Sequence, residues 1–204
     1  RVFVGLLDGG HLSVDTSQPD LMFRPIHSLN LTSMTVVCGC GGGNEIRSLL
    51  PKILSTALRV VLDADALNAI ADDTQLQSLL SARCRRQAAT VLTPHPLEAA
   101  RLLDSSAAQI QHDRVAAAQQ LTQRFGCTVV LKGSGTVIAA PGQTPVINPT
   151  GNARLATAGT GDVLAGMVGA RLASKMDTFH AACQAVYSHG QIADQWPDSQ
   201  TLVA

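Results

Sequence analysis

The chain has 204 residues, enough for one domain with a substantial core, and its composition is 46% apolar but only 3% aromatic. Lys and Arg number 15, as do Asp and Glu, and no basic block with interleaved aromatic residues occurs, which argues against a nucleic-acid partner. No apolar run has the length that spans a membrane, and the opening RVFVGLLDGG is too short and too often interrupted by glycine for a signal peptide. We therefore expect a cytoplasmic protein.

In chain order, several short apolar runs have the length of β-strands and end in turn or polar residues. They are VFVGLL (2–7), MTVVCG (34–39), RVVLDA (59–64), ATVLTP (89–94) and TVVLKG (128–133). Helical patterns lie between them, namely EIRSLLPKILSTAL (45–58), LEAARLL (97–103) and IQHDRVAAAQQLTQRF (110–125), the last of which ends at Gly126. This alternation predicts an α/β fold with a mostly parallel sheet and helices on both faces.

The stretch TVIAAPGQTPVI at 136–147 differs from the rest, because two β-rich segments flank PGQT. It predicts a hairpin or wide turn at the edge of the sheet.

The cysteines are odd in number and form no Cys-x-x-Cys pair, which predicts buried thiols in a reducing compartment. They are Cys38, Cys40, Cys84, Cys127 and Cys183. The histidines other than His95 show no metal-ligand spacing, so we assign no metal ligands. Those histidines are His11, His27, His112, His180 and His189.

Unusual residues follow four of the predicted strands: GCGGGN, DADALN, TPHP and KGSGT come after the second, third, fourth and fifth run. In open α/β sheets the ligand crevice lies outside the carboxyl ends of the parallel strands. We therefore expect the functional site at that edge of the sheet.

In DADALN, Asp63 and Asp65 stand two residues apart at a strand end, where they could approach a cation or a hydroxyl group. The alternative that we favour slightly is that Asp65 caps the following helix. In GCGGGN, Asn44 interrupts the glycine spacing, so a dinucleotide-binding fingerprint is not supported.

In TPHP, two prolines fix the backbone on either side of His95, and Pro96 is well placed to start a helix. A histidine held rigidly at a strand-to-helix turn is poised to contact a ligand, whereas a surface turn histidine is the alternative.

In KGSGT, Lys132 ends a strand and is followed by Gly133, Ser134, Gly135 and Thr136. The stretch is neither a Walker A loop nor a nucleophile elbow. It is either a hairpin turn or a nucleotide-binding edge with Lys132 near a phosphate.

In ATAGTGDVLAG, glycines precede an apolar helical pattern that starts at Val163, and Gly166, Gly169 and Ala170 would let that helix pack closely on a neighbour. Free N–H groups at its start form an anion site. Beside a phosphate bound at that site, Asp162 would act as a base or would orient a substrate hydroxyl group. The alternative is an ordinary helix whose first-turn aspartate favours the helix dipole.

Together, LDADALN, TPHPLEAARLL, VVLKGSGTVIAAP and TGNARLATAGTGDVLAGMVGA resemble the nucleotide-dependent NAD(P)H-hydrate dehydratases, in the order and spacing of that family, from about residue 20 to residue 195. The resemblance implies a ribokinase-like fold, a three-layer α/β/α sandwich, in a single domain over 1–204. It implies ADP- or ATP-driven dehydration of hydrated NADH or NADPH, with Mg²⁺ bridging the nucleotide phosphates. It also implies a homo-oligomer.

Carried over by motif, the resemblance implies that Lys132, Gly133, Ser134, Gly135, Thr136 and Gly161 bind the nucleotide. It implies that Gly41, His95 and Asp162 meet the hydrate and that Asp162 is catalytic.

Three departures from the family pattern stand out. The loop Gly39-Cys40-Gly41-Gly42-Gly43 has a cysteine where the family pattern Gly-Pro-Gly-x-Gly has its proline, and Leu97 replaces a glycine after TPHP. The family's opening strand with its glycine-rich loop, and a further C-terminal helix, are not visible in the sequence. A small-molecule kinase of the same superfamily and a non-catalytic nucleotide-binding domain are therefore the competing interpretations.

Overall fold

The structure is a computed structural model that describes residues 1–7 and 12–204, so His11 lies outside the described residues. Its strands are β1 (Val2–Val4), β2 (Leu21–Phe23), β3 (Thr35–Cys38), β4 (Arg59–Leu62), β5 (Thr90–Leu92), β6 (Thr128–Leu131), β7 (Val137–Ala139) and β8 (Val146–Ile147). Its α-helices are α1 (Ile46–Thr56), α2 (Ala64–Ala71), α3 (Thr74–Arg85), α4 (Pro96–Leu102), α5 (Ala107–His112), α6 (Arg114–Phe125), α7 (Thr160–Ala173) and α8 (Thr178–Asp194).

The main sheet has six strands in sequence order, β3 to β8. Strands β3 to β6 are parallel, while β7 and β8 are antiparallel and form the predicted hairpin at the edge. The mostly parallel sheet and the edge hairpin are thus confirmed. The first predicted run forms β1, which pairs with β2 in a separate two-stranded sheet, a pairing that the sequence did not predict.

Helices cover both faces of the main sheet, which makes three layers. Strand residues alternate between the two cores: Val60 and Leu62 pack with α1 to α4 and α6 on one face, whereas Val61 packs with α7 and α8 on the other. Because both faces are buried, the strands are continuous apolar runs rather than alternating ones. The core is built from Ala, Val, Leu and Ile, as the scarcity of aromatic residues requires.

The predicted helix at 110–125 is wrong in one respect, because the chain breaks it at Asp113. This residue ends α5 and caps α6, and its carboxylate accepts a hydrogen bond from the N–H of Ala116 at 2.9 Å. An aspartate side chain competes for backbone donors and so favours a helix start over a helix interior. The predicted end at Gly126 is confirmed, with a left-handed φ of 72°.

Helix α7 packs on the sheet through one of its small residues. A Cβ at Gly169 would lie 2.4 Å from Cγ2 of Val37 in β3, so only glycine permits this approach. Gly166 and Ala170, which we expected to pack in the same way, are exposed. They lie on the solvent side of the helix, so that expectation is wrong.

Among the described helices, none combines the length and the apolar character that a bilayer crossing requires. All the cysteines are free thiols; Cys127 is buried and the other four are half-buried, which corrects the expectation of uniformly buried thiols.

Candidate functional site

The site lies where the parallel strands β3 to β6 end, at the edge that the sequence predicted. The loops after β3 and β4 are in close contact there. A Cβ at Gly39 would lie 1.8 Å from the carbonyl oxygen of Asp63, and Gly39 has a φ of 111°, so no other residue fits. Asp65 accepts a hydrogen bond from the N–H of Gly43 at 2.8 Å. The carboxylate of Asp65 therefore fixes the glycine loop.

The capping role that we favoured for Asp65 is wrong. Asp63 occupies the N-cap position of α2, and its side chain makes no capping hydrogen bond. Asp65 stands in the first turn of α2 and bonds to the neighbouring loop instead. Between them, Ala64 has a φ of 45°, which costs a non-glycine residue about 1–2 kcal/mol. The backbone at this turn is therefore held in place by its surroundings.

Lys132 and Asp63 form an ion pair at the centre of the site. The ammonium nitrogen Nζ of Lys132 lies 2.7 Å from Oδ1 of Asp63, whose side chain is 1% exposed, while that of Lys132 is 19% exposed. A Cβ at Gly161 would lie 3.4 Å from Nζ and 3.9 Å from Oδ2 of Asp63. The pair therefore borders the first turn of α7, where Gly161 carries no side chain.

Asp162 stands in the same first turn, and its carboxylate is exposed. One side-chain ligand atom of each of Cys40, Asp63 and Asp162 lies within 4.8 Å of the others. Burial, with the two carboxylates, raises the pKa of the Cys40 thiol to about 12. Cys40 is therefore a thiol rather than a thiolate at neutral pH, and it is a poor nucleophile there.

Arg114, the first residue of α6, holds the KGSGT loop through hydrogen bonds to backbone carbonyl groups. Its guanidinium donates to the carbonyl oxygens of Leu131 at 3.0 Å, Lys132 at 3.1 Å and Ser134. Gly133 has a φ of 139°, and a Cβ on it would lie 2.8 Å from the guanidinium nitrogen Nη2. Arg114 is not among the residues predicted from the sequence, although its place directly after Asp113, the N-cap of α6, was a usable signal.

The remaining members of that loop are shaped by short-range bonds. The hydroxyl of Thr136 donates to the carbonyl oxygen of Gly133 at 2.9 Å, and Gly135 has a φ of 63°. A positive φ at both glycines lets the loop turn tightly at the end of β6. The loop is the turn of a β6–β7 hairpin, since Leu131 pairs with Val137 in antiparallel strands, so the hairpin-turn interpretation is confirmed.

His95 caps helix α4, and Pro96 begins that helix as predicted. Its ring nitrogen Nδ1 accepts hydrogen bonds from the N–H groups of Leu97 at 3.1 Å and Glu98 at 3.3 Å. Since Nδ1 acts as an acceptor, the ring proton is on Nε2, which lies 3.2 Å from Oε1 of Glu98. The imidazole is thus fixed in one tautomer and one orientation. The side chain of Leu97 is exposed.

Glu98 is buried and completes the cap, because its Oε2 accepts from the N–H of His95 at 2.7 Å. Burial raises the pKa of its carboxyl group, and the bond to His95 and the charge of Lys132 offset this only in part. The N–H of Lys132 donates to the carbonyl oxygen of Pro94 at 2.8 Å. The TPHP turn and the Lys132 strand end are therefore joined directly.

The structure thus brings Lys132, Gly161 and Asp162 together around Asp63. His95 is linked to this group through the Pro94 bond and Glu98. Gly41 lies on the exposed loop after β3 with a φ of 60°, and open space surrounds the position of its Cβ.

The donor set at this edge suits a magnesium ion carried by a nucleotide better than a metal held by the protein alone. Mg²⁺ binds through one or two carboxylates, waters and substrate phosphates. Asp162 offers an exposed carboxylate, whereas Asp63 is engaged with Lys132 and Cys40 is a thiol. One free carboxylate fits a phosphate-bound ion.

Comparison with known proteins gives consistent results. A family model described as NAD(P)H-hydrate dehydratase matches residues 4–204. The ADP-dependent (S)-NAD(P)H-hydrate dehydratase of Neisseria meningitidis serogroup B is 42% identical over 192 residues, which cover 91% of this chain and 64% of that protein. The chain therefore spans less than two thirds of that relative.

Solved structures show the same fold. The ADP/ATP-dependent NAD(P)H-hydrate dehydratase from Bacillus subtilis, co-crystallised with ATP/Mg²⁺ and soaked with CoA, superposes with a TM-score of 0.76 at 30% identity. The match covers 92% of this chain and 70% of that one. A ribokinase-like superfamily protein from Enterococcus faecalis V583 gives a TM-score of 0.70 at 24% identity, over 92% of this chain and 66% of that one. The predicted ribokinase-like architecture is therefore confirmed.

Proposed function

Because the chain belongs to the NAD(P)H-hydrate dehydratase family, we propose that it restores NADH or NADPH from the hydrated ring, with ADP or ATP as phosphate donor. The observation that supports this most strongly is the grouping of Lys132, Gly161 and Asp162 at the start of α7. A cation, free backbone N–H groups and an exposed carboxylate are what phosphoryl transfer to a hydroxyl requires.

In this proposal, Lys132 to Thr136 and Gly161 bind the nucleotide, with its terminal phosphate at the first turn of α7. Gly41, His95 and Asp162 contact the hydrate. Asp162 accepts the proton of the substrate hydroxyl as the hydroxyl oxygen attacks the terminal phosphorus and the nucleotide leaves. Phosphate then departs as the carbon–oxygen bond breaks, a neighbouring ring carbon gives up a proton to water, and the double bond returns.

The elimination explains why a dehydratase can use a kinase fold, because a phosphate ester is a far better leaving group than hydroxide. A Mg²⁺ ion carried by the nucleotide phosphates would neutralise charge on the transferred group. Lys132 supplies a second positive charge from the protein itself, and its ammonium is held by Asp63.

The experiment that tests the proposal is absorbance recovery at the reduced-nicotinamide band. NADH hydrate is mixed with the protein, Mg²⁺ and either ADP or ATP. Recovery that depends on one nucleotide establishes the activity and identifies the phosphate donor. A phosphorylated product that accumulates without elimination would instead indicate a small-molecule kinase. Absence of any turnover, with nucleotide binding retained, would indicate a non-catalytic domain.

A further inference from the structure

We propose that Asp63 is a positioning residue for this reaction: its buried carboxylate holds the Lys132 ammonium at the first turn of α7, where the nucleotide phosphate binds. The inference rests on the proposed function and extends it to a residue to which no role has been given. Asp63 cannot itself reach a ligand, because its side chain is 1% exposed, so it acts through Lys132.

The first line of support is the geometry of the pair. Oδ1 of Asp63 lies 2.7 Å from Nζ of Lys132, within hydrogen-bond distance. Lysine has a flexible four-carbon side chain, so an unpaired ammonium would occupy many positions. The bond to Asp63 selects the one beside Gly161. Preorganised charge of this kind costs no rearrangement when the transferred phosphoryl group arrives.

The second line of support is the backbone that fixes Asp63. Its N–H donates to the carbonyl oxygen of Cys38 at 3.1 Å, and its own carbonyl leaves room only for glycine at position 39. The next residue, Ala64, carries a strained positive φ. Strain of this kind persists only where the surroundings impose it, and it concentrates at functional sites.

The third line of support is that the side chain of Asp63 does not cap its own helix. It occupies the N-cap position of α2, where an aspartate ordinarily accepts from the N–H groups of the first turn, yet it makes no such bond. Its Oδ2 instead faces the thiol of Cys40 at 4.0 Å. The carboxylate is therefore turned toward the site and away from its own helix.

The test compares Asp63→Asn, Lys132→Met and the double variant by kcat, KM for each substrate, and affinity for Mg·ATP. We expect Asp63→Asn to lower kcat and to raise the nucleotide KM, each by about 10- to 100-fold, because the ammonium is misplaced. The KM for the hydrate stays within about threefold in the same variant. In the Lys132→Met background, we expect Asp63→Asn to add less than about threefold to either loss, since its effect passes through that lysine.

The matched control is Asp104→Asn, which removes a carboxylate from an exposed ion pair with Arg124. Its kinetic constants are expected to equal those of the wild type. If Asp63→Asn fails to fold, as judged by circular dichroism, Asp63→Glu replaces it, because the longer side chain keeps the charge but shifts the ammonium. A wild-type kcat and nucleotide KM in either folded variant would overturn the inference, as would independent, multiplying losses in the double variant.

Failure of the proposed function gives a different result. In that case the wild type restores no NADH, and Mg·ATP affinity, measured by calorimetry, becomes the readout. A loss of at least about fivefold in Asp63→Asn then still supports the positioning role. Unchanged Mg·ATP affinity in that variant contradicts it.

Discussion

At the scale of single residues, Asp162 raises the question of why a carboxylate stands where a phosphate is expected to bind. Two anions repel, so an aspartate in the first turn of α7 weakens a site that only binds phosphate. Lys132, whose ammonium lies beside the neighbouring Gly161, offsets that repulsion. A carboxylate with a lysine ammonium nearby suits a general base, because such a base must lie close to the transferred phosphoryl group.

Replacement of Asp162 by Asn tests that role. The amide keeps the shape of the side chain but cannot accept the hydroxyl proton, so we expect turnover to be abolished. Nucleotide affinity is expected to stay within about tenfold of the wild type, because Lys132 and the backbone N–H groups remain. The measurements are absorbance recovery and calorimetric titration with Mg·ATP. Turnover retained by the variant would remove Asp162 from the mechanism.

His95 caps α4, and we propose that it also contacts the hydrate; two substitutions separate these roles. Asn is a good N-cap residue, so His95→Asn preserves the start of α4, whereas His95→Ala loses it and costs about 0.5–2 kcal/mol of stability. Both variants lack the imidazole, so both are expected to raise the KM for the hydrate about tenfold or more. Urea denaturation and steady-state kinetics on the pair provide the data. If only His95→Ala loses activity, the histidine is a cap and not a substrate contact.

At the scale of elements, the junction of α5 and α6 determines the shape of the KGSGT loop, which we propose is the nucleotide loop. The helix break at Asp113 places Arg114 at the start of α6, within reach of three loop carbonyl groups. With those carbonyls turned toward the guanidinium, the loop keeps the tight turn that Gly133 permits. A helix that ran unbroken through Asp113 would lack this arrangement.

We expect Arg114→Met to raise the nucleotide KM about tenfold while the hydrate KM changes less than about threefold. The reason is that the part-buried carbonyl groups of Leu131 and Lys132 lose their donor, which costs about 1–3 kcal/mol, so the loop relaxes to find new partners. Arg47→Met, which removes an exposed ion pair with Asp73, is the matched control. Equal increases in both KM values would mean that Arg114 supports the fold in general and not the nucleotide loop.

At the scale of the whole molecule, the buried carboxyl group of Glu98 makes folding stability depend on pH. Burial raises its pKa in the folded state above the ordinary value of 4.5. The unfolded chain therefore releases this proton first as the pH rises. The contribution of Glu98 to the free energy of unfolding is complete below pH 4.5 and is lost as the pH rises through the folded-state pKa.

Glu98→Gln removes this titration, so the stability of the variant relative to the wild type is expected to increase from pH 4.5 upward and then level off. Urea denaturation at several pH values between about 4 and 8 measures the difference. Glu45→Gln, at an exposed position, controls for the loss of one negative charge. A difference for Glu98→Gln that falls with rising pH would contradict the assignment. Assembly into a homo-oligomer stays a separate prediction, which light scattering can test.

The sequence alone determined the fold class and the edge of the sheet at which the candidate residues gather. Apolar strand runs separated by helical patterns require a covered parallel sheet, and the polar residues after each run then fall at one edge. It also predicted the start of α4 at Pro96, the end of α6 at Gly126 and the edge hairpin, because Pro, Gly and β-rich segments have strong local preferences. The family followed from the motifs and their order.

Tertiary structure decided which side chains pair with one another and where the backbone is strained, because local preferences do not specify either. Whether Asp63 or Asp65 caps α2 depends on partners supplied by other segments: Lys132 lies 69 residues further along the chain from Asp63, and Gly43 lies 22 residues before Asp65. The strained φ of Ala64 has the same origin, since a local preference would never select it. Charge pairing and close approach between distant segments are properties of the folded chain. They assemble the site, and no periodicity in the sequence encodes them.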